Sequence, residues 1–363
     1  MRGLMGNRFV PVMVFVLASS AAYFVLPLQS WSASVVSPAN RKDEARSHIE
    51  RGETLLRQGD LKGAADAARR AVESNPSSAE GYYLLGRLHL KDRKLEKAAE
   101  AFSRSLNIRP ASPDVLNDLA GLYVLQGKPA EAEQALIRAI AADPAHIESY
   151  LSLAKLYERR RDVAAAKKTY ASVLAVEPTH ADALFGLATL CDNQGEYQEA
   201  REAVRRLTKA HPAHADAWYL NGQIAEKNGD LDEAASAYQR AIAAKPDLVD
   251  AHFNLGFIYR SRNRPDEAER EFLEVLRYRP EYAEAYLNLG VIYTSMNRLE
   301  EAERAYEKTV ALKPDHAEAR YSLGVFYELH RRDMPRALAQ YRKYRELGGR
   351  DDRVERIVGS GFQ

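Results

Sequence analysis

Pro76, Pro110, Pro144, Pro178, Pro212, Pro246, Pro280 and Pro314 stand 34 residues apart along this chain. A fixed period of this size marks an array in which each unit buries its apolar face only against its neighbours. Such a chain offers an extended surface rather than an enclosed pocket.

Counting each proline as position 32 of its unit gives nine units, 45–78, 79–112, 113–146, 147–180, 181–214, 215–248, 249–282, 283–316 and 317–350. Position 8 is always small: Gly52, Gly86, Ala120, Ala154, Ala188, Gly222, Gly256, Gly290 and Gly324. Position 20 is an alanine column from Ala64 to Ala302. Small residues at matched heights let two helices approach closely, and larger residues at positions 4, 7, 11 and 24, such as Tyr286, Leu289, Tyr293 and Tyr306, fill the space around them. The unit is therefore a helical hairpin. Gly59, Gly127, Gly195, Gly229, Asn263 and Asn297 at position 15 tolerate the left-handed backbone that ends a first helix. The ladder proline forces the second helix to stop before it.

The eighth unit reads Ala-Glu-Ala-Tyr-Leu-Asn-Leu-Gly-Val-Ile-Tyr from 283, Glu-Ala-Glu-Arg-Ala-Tyr from 301, then Lys-Pro at 313 and 314. In these residues, and in register over about 45–350, the chain resembles the tetratricopeptide repeat family. The resemblance implies an all-α right-handed superhelix, an α-solenoid of nine helical hairpins with a short C-terminal capping helix. First helices would line a concave groove that binds extended peptides or partner domains without chemistry. Departures lie at the ends and in the fifth unit. The first unit has His48, Arg51 and Ala68 at usually large apolar positions, and Cys191 takes a usual tyrosine position. The last unit carries one extra residue before Ala337, has Tyr344 where a small residue is usual, and closes on Gly348 and Gly349.

Arg2 and Arg8 precede an uncharged apolar run from Phe9 to Leu28, and no charge follows until Arg41. This pattern predicts a signal peptide or N-terminal membrane anchor over 1–36, with the rest of the chain outside the cytoplasm, membrane-anchored or secreted to the periplasm. A polar linker over 37–44 follows, and 351–363 forms the cap and tail. The absence of cysteine between 20 and 35 argues against a lipoprotein anchor.

Fifty-two basic against fifty-one acidic side chains create no field that would gather nucleic acid. A single cysteine, Cys191, leaves no internal disulfide framework, and no zinc-ligand spacing is present. No catalytic triad, carboxylate pair or phosphate loop stands out, so neither an enzyme nor a cofactor or small-molecule substrate is expected.

Several columns admit a plainer explanation than function. Glu80, Asp114, Glu148, Asp182, Asp216, Asp250, Glu284 and Glu318 open first helices, where the macrodipole favours an anion. His146, His180, His214 and His316 lie a whole unit apart, too far to share a metal ion. Cys191 faces a hairpin interior, and Arg159, Arg160 and Arg161 close a helix where cations suit the dipole.

Positions 5 and 9 lie one turn apart on the inner face of each first helix. Position 9 is Arg87, Lys155, Thr189 and Gln223 in earlier units, with Gly121 the exception, and becomes Phe257, Val291 and Val325 in the last three. With Phe253, Leu287 and Tyr321 these predict an apolar strip, bordered by Asn254, Asn288, Ser322 and Arg260. The asparagines and serine are expected to hydrogen-bond an extended ligand, and the competing arrangement is a C-terminal cap folded over the strip. The expected function is a non-catalytic scaffold or adaptor holding a partner protein or peptide within an envelope assembly. The alternative is an accessory subunit of an exopolysaccharide, pilus or outer-membrane biogenesis system, in which Tyr83, Phe185 and Tyr219 would stack on a glycan or contact an enzyme.

Overall fold

A computed structural model describes residues 38–359. The expected signal or anchor at 1–36 and the tail at 360–363 lie outside the described residues. Among the described residues there are no strands, and no helix is long and apolar enough to cross a membrane.

The helices run in nine antiparallel pairs and a final cap. The N-terminal pairs are α1 (Pro38–Gln58) with α2 (Leu61–Ser74), α3 (Ala79–Lys91) with α4 (Leu95–Ile108), and α5 (Pro113–Leu125) with α6 (Pro129–Ala142). The middle pairs are α7 (Ile147–Arg159) with α8 (Val163–Val176), α9 (Ala181–Asn193) with α10 (Tyr197–Ala210), and α11 (Ala215–Lys227) with α12 (Leu231–Ala244). The last are α13 (Val249–Ser261) with α14 (Pro265–Tyr278), α15 (Ala283–Ser295) with α16 (Leu299–Leu312), and α17 (Ala317–Phe326) with α18 (Met334–Glu346), followed by α19 (Asp352–Gly359). First helices approach the first helices of adjoining units, α3 on α5 and α13 on α15 for example, while second helices stay apart from one another. That asymmetry curves the array into a superhelix and places the first helices on its concave side.

Five hairpins close on a ring at position 24 packed against the glycine at position 8. A Cβ built on Gly86 would stand 2.4 Å from the Phe102 ring, on Gly222 2.4 Å from Tyr238, and on Gly290 2.7 Å from Tyr306. The rings fill the space the missing side chain leaves, and Phe102, Phe272 and Tyr238 are fully buried. Each such ring contributes about 1.5–3 kcal/mol by leaving water.

Turns follow the same economy. Gly59, Gly127, Gly195 and Gly229 have φ between 71° and 84°, and Asn263 and Asn297 have 55° and 58°. Arg93, Arg161 and Arg332 take the same left-handed conformation in the remaining units, at φ 55°, 60° and 55°. The hairpin therefore imposes the turn even where the residue resists it. The extra residue of the last unit is absorbed by a π-helical turn over Tyr327–Arg331, and Asp333 N–H then reaches back to the Tyr327 carbonyl at 2.9 Å. Register recovers by Ala337, which is fully buried.

The linker expected over 37–44 is not one: residues 38–44 are the opening turns of α1. Pro38 suits a first helical position, where its missing N–H costs nothing. Pairs one turn apart, Glu44 with His48 at 3.8 Å and Arg46 with Glu50 at 3.2 Å, let a polar stretch be helical while only Ala45 is buried. At the other end α19 caps α18: Val354 is fully buried, and Arg353 pairs with Glu328 at 2.6 Å.

Gly222→Ala tests the ring contact. Alanine is the better helix former by about 1 kcal/mol, yet overpacking against Tyr238 costs about 1–3 kcal/mol. We expect a lower denaturant midpoint; an equal or higher one would show that the ring contact does not set the hairpin.

Candidate functional site

Of the ten groove residues expected from sequence, the structure exposes the apolar pair Phe257 and Val291, at 42% and 37% of their full accessible area. They sit at equivalent places on α13 and α15, and Val325 on α17 continues the row half-buried. Phe257 and Val291 thus stand partly in water. Phe253 is half-buried, edge-on to Phe272 at 5.5 Å and against Tyr282 at 5.4 Å. Tyr321 lies between Tyr341 at 6.3 Å and Tyr344 at 5.3 Å. Tyr344, large where a small residue is usual, thus packs behind the end of the strip.

Two expectations need correction. Leu287 is buried, 7% exposed, in the core shared by the last four units, so it supports the strip from behind. The two asparagines of the hydrogen-bonding row spend their amides within the chain. Asn254 Nδ2 donates to Tyr238 Oη at 3.2 Å, and Asn288 Nδ2 donates to the Glu284 carbonyl of its own helix at 2.7 Å. The Asn288 Oδ1 is buried without a partner. Ser322 stays half-exposed. A tyrosine at position 24, where present, sends its hydroxyl toward the end of the first helix.

That hydroxyl has a regular acceptor. Tyr170 donates to Glu158 at 2.9 Å, Tyr238 to Glu226 at 2.8 Å and Tyr341 to Glu328 at 2.6 Å, all acids at one position near the end of the first helix. In the seventh unit the ring is Phe272, which has no hydroxyl, and the acid is replaced by Arg260. Its guanidinium stands 4.8 Å over the Phe257 ring and forms no ion pair among the described residues. Burial holds its pKa below the usual arginine value. The strip therefore ends on a half-desolvated cation stacked on its most exposed aromatic ring, an arrangement the sequence announced only as a charge at its border.

The other singled-out residues serve the scaffold. His180, His214 and His316 accept the N–H of Ala183, Ala217 and Ala319 through Nδ1, at 3.4, 3.2 and 3.3 Å, capping first helices. The acidic openers also pair across their hairpins: Asp250 with Arg279 at 3.6 Å, Glu80 with Arg109 at 2.5 Å, and Glu284 with Lys313. Arg160 pairs with Glu133, and Arg161 forms the left-handed turn. Cys191 is buried, which pushes its thiol up to about 12. Its sulfur and the carboxylates of Glu196 and Glu199 lie within 4.8 Å of one another, a spacing open to a metal ion. Lys167 Nζ already donates to both carboxylates, at 2.8 Å to Glu196, so an ammonium supplies the positive charge there. The rings considered for a glycan are engaged: Tyr83 donates to Asp118 at 2.9 Å, Phe185 stacks on His214 at 5.7 Å, and Tyr219 packs on Tyr238 at 5.7 Å.

A second feature of the concave face went unassigned in the sequence. A Cβ on Gly121, in the body of α5, would meet nothing within 4 Å. Beside it opens a cavity of about 350 Å³ lined by Leu90, Ala120, Val124, Leu125, Leu136, Ser152, Lys155, Leu156 and Arg159. Leu125, 65% exposed, is the most exposed large apolar side chain among the described residues. A larger cavity of about 600 Å³ lies away from the concave strip, between α14 and α16.

His252 adds a pH dependence next to the strip. Burial pulls its pKa down, but Glu271 at 2.6 Å from Nδ1 and the Pro246 carbonyl at 3.0 Å from Nε2 outweigh it and leave the pKa raised. A raised folded-state pKa means stability fully present below the unfolded value of 6.5 and lost as pH rises through the folded one. We expect the denaturation midpoint to fall between pH 6 and pH 9 by a larger amount in the parent chain than in His252→Gln. For Gly121→Ala we expect the opposite sign to Gly222→Ala, a gain of about 0.5–1 kcal/mol, because only helix propensity changes. A loss on denaturant titration would mean that the site is closed.

Family models for tetratricopeptide repeats match residues 192–249 and 293–352, and residues 247–315. The model for the cytochrome c-type biogenesis protein H TPR domain matches 44–181. Among solved structures, pilF of Pseudomonas aeruginosa is 23% identical, with a TM-score of 0.50 over 57% of this chain and 94% of its own. PilW, described as a widely conserved type IV pilus biogenesis factor, is 20% identical with a TM-score of 0.49, over 56% of this chain and 94% of its own. YrrB, described as a TPR protein with an unusual peptide-binding site, is 24% identical with a TM-score of 0.47, over 52% of this chain and 96% of its own. At these identities the likeness is one of fold. No curated protein matches the chain.

Proposed function

Because the chain belongs to the tetratricopeptide repeat family, we propose that it is a protein-interaction adaptor whose C-terminal groove holds an apolar segment of a partner within an envelope assembly. The observation that carries this reading is the open row Phe257, Val291 and Val325 on three successive first helices, ending on Arg260. Exposed apolar side chains in a continuous row mark an interaction surface. Stacking Arg260 on Phe257 keeps the ring at a fixed angle, and aromatic and arginine side chains dominate interface energies.

The envelope half of the proposal draws on two sequence features. Arg2 and Arg8 before the apolar run Phe9–Leu28 suit membrane targeting with the array outside the cytoplasm. The likeness of 44–181 to a TPR domain of a cytochrome c biogenesis protein is in keeping with an assembly role there. No catalytic constellation is needed for such a role.

The test is in-envelope crosslinking through a photoreactive residue at Val291, identification of the partner, and titration of the purified partner. Phe257→Ala should weaken binding about ten-fold or more, as loss of a central aromatic contact does. Arg87→Ala, on the same face five units earlier, should change it less than about two-fold. Equal losses from both variants would overturn the C-terminal site.

A further inference from the structure

We propose that Gly121 marks a second docking point, at which the concave face takes a large apolar side chain of a peptide segment that also carries a carboxylate. It rests on the adaptor reading only in using the same face, since Gly121 belongs to the third unit and Phe257 to the seventh.

A glycine inside a helix lowers its stability relative to alanine and needs a compensating reason. The position-8 and turn glycines have one: an added Cβ at Gly86, Gly222 or Gly290 would strike a ring, and Gly59, Gly127 and Gly229 carry positive φ. Gly121 has neither. It lies in the body of α5 with open space where its side chain would project. A bare backbone on this exposed stretch of the concave face lets a segment from outside the chain approach closely.

The surroundings state what that something is. The cavity beside Gly121 is walled by Leu90, Val124, Leu125 and Leu156, and Leu125 is left largely in water. Its rim carries Lys155 and Arg159, one helical turn apart on α7, and no acidic residue lines it. Neither cation forms an ion pair among the described residues. Arg159 at a helix end is accounted for by the dipole, but Lys155 in the helix body is not. An apolar floor under two unpaired cations is complementary to an apolar side chain flanked by Asp or Glu, held by burial and steered by charge.

The experiment pans a random dodecapeptide phage library on the full chain in detergent and measures enriched synthetic peptides by fluorescence anisotropy. The expected peptides place Leu, Ile, Met, Phe or Trp within three residues of Asp or Glu. Gly121→Leu, which fills the cavity, should weaken them about ten-fold or more, as should Lys155→Glu with Arg159→Glu, while Phe257→Ala stays within about two-fold. Unchanged circular dichroism separates a filled cavity from a disrupted helix; should Gly121→Leu disrupt it, the charge-reversed double variant decides. Peptides that survive these substitutions, or no enrichment at all, overturn the proposal. Peptides lost in Phe257→Ala but not in Gly121→Leu would overturn it while leaving the C-terminal groove standing.

Discussion

The side chain at position 24 set against the small residue at position 8, a ring on a glycine in five units, is the contact that shapes these hairpins. It sets how closely the two helices of a unit approach, and with it the angle at which the next unit stacks. Phe102 on Gly86, Tyr238 on Gly222 and Tyr341 on Gly324 repeat one geometry. Where position 8 is Ala154, the Tyr170 ring also reaches the neighbouring unit, lying within 2.4 Å of a Cβ built on Gly186. Because each unit contacts only its neighbours, a small variation in one hairpin is felt locally, which is how the π-helical turn of the last unit is tolerated.

The same contact decides what the concave face can offer. A tyrosine at position 24 delivers a hydroxyl to the inner rim, where Glu158, Glu226 and Glu328 receive it. Phenylalanine there ends the pattern, and in the seventh unit the unmatched position carries Arg260 over Phe257. The proposed interaction surface thus lies where the hairpin stays intact while one inner-face side chain has no structural task. Gly121 is the other extreme, a side chain removed with nothing packed into its place.

Much of this was legible in the chain. The proline ladder, the small columns and the Gly or Asn turns each report a backbone requirement, and such requirements recur at every unit, so their register could be counted. The row Phe257, Val291 and Val325 could be placed on the inner face for the same reason. Leu287 and Asn288 could not be separated from it, since position along a helix gives direction but not depth, and depth depends on how hard the neighbouring units press. The helical start at Pro38 was hidden because an amphiphilic pattern is weak where only Ala45 is buried.

By itself, then, the sequence determined the number of hairpins, where each first helix turns and which face looks inward, because these follow from local backbone preferences repeated at a constant spacing. Only the tertiary structure decided which inward side chains are free. Asn254 gives its amide to Tyr238 of the preceding unit, Arg260 stands in the unit whose ring, Phe272, has no hydroxyl, and Gly121 lies beside an open cavity. Those outcomes depend on pairs of residues brought together across helices and units, and no single position carries them.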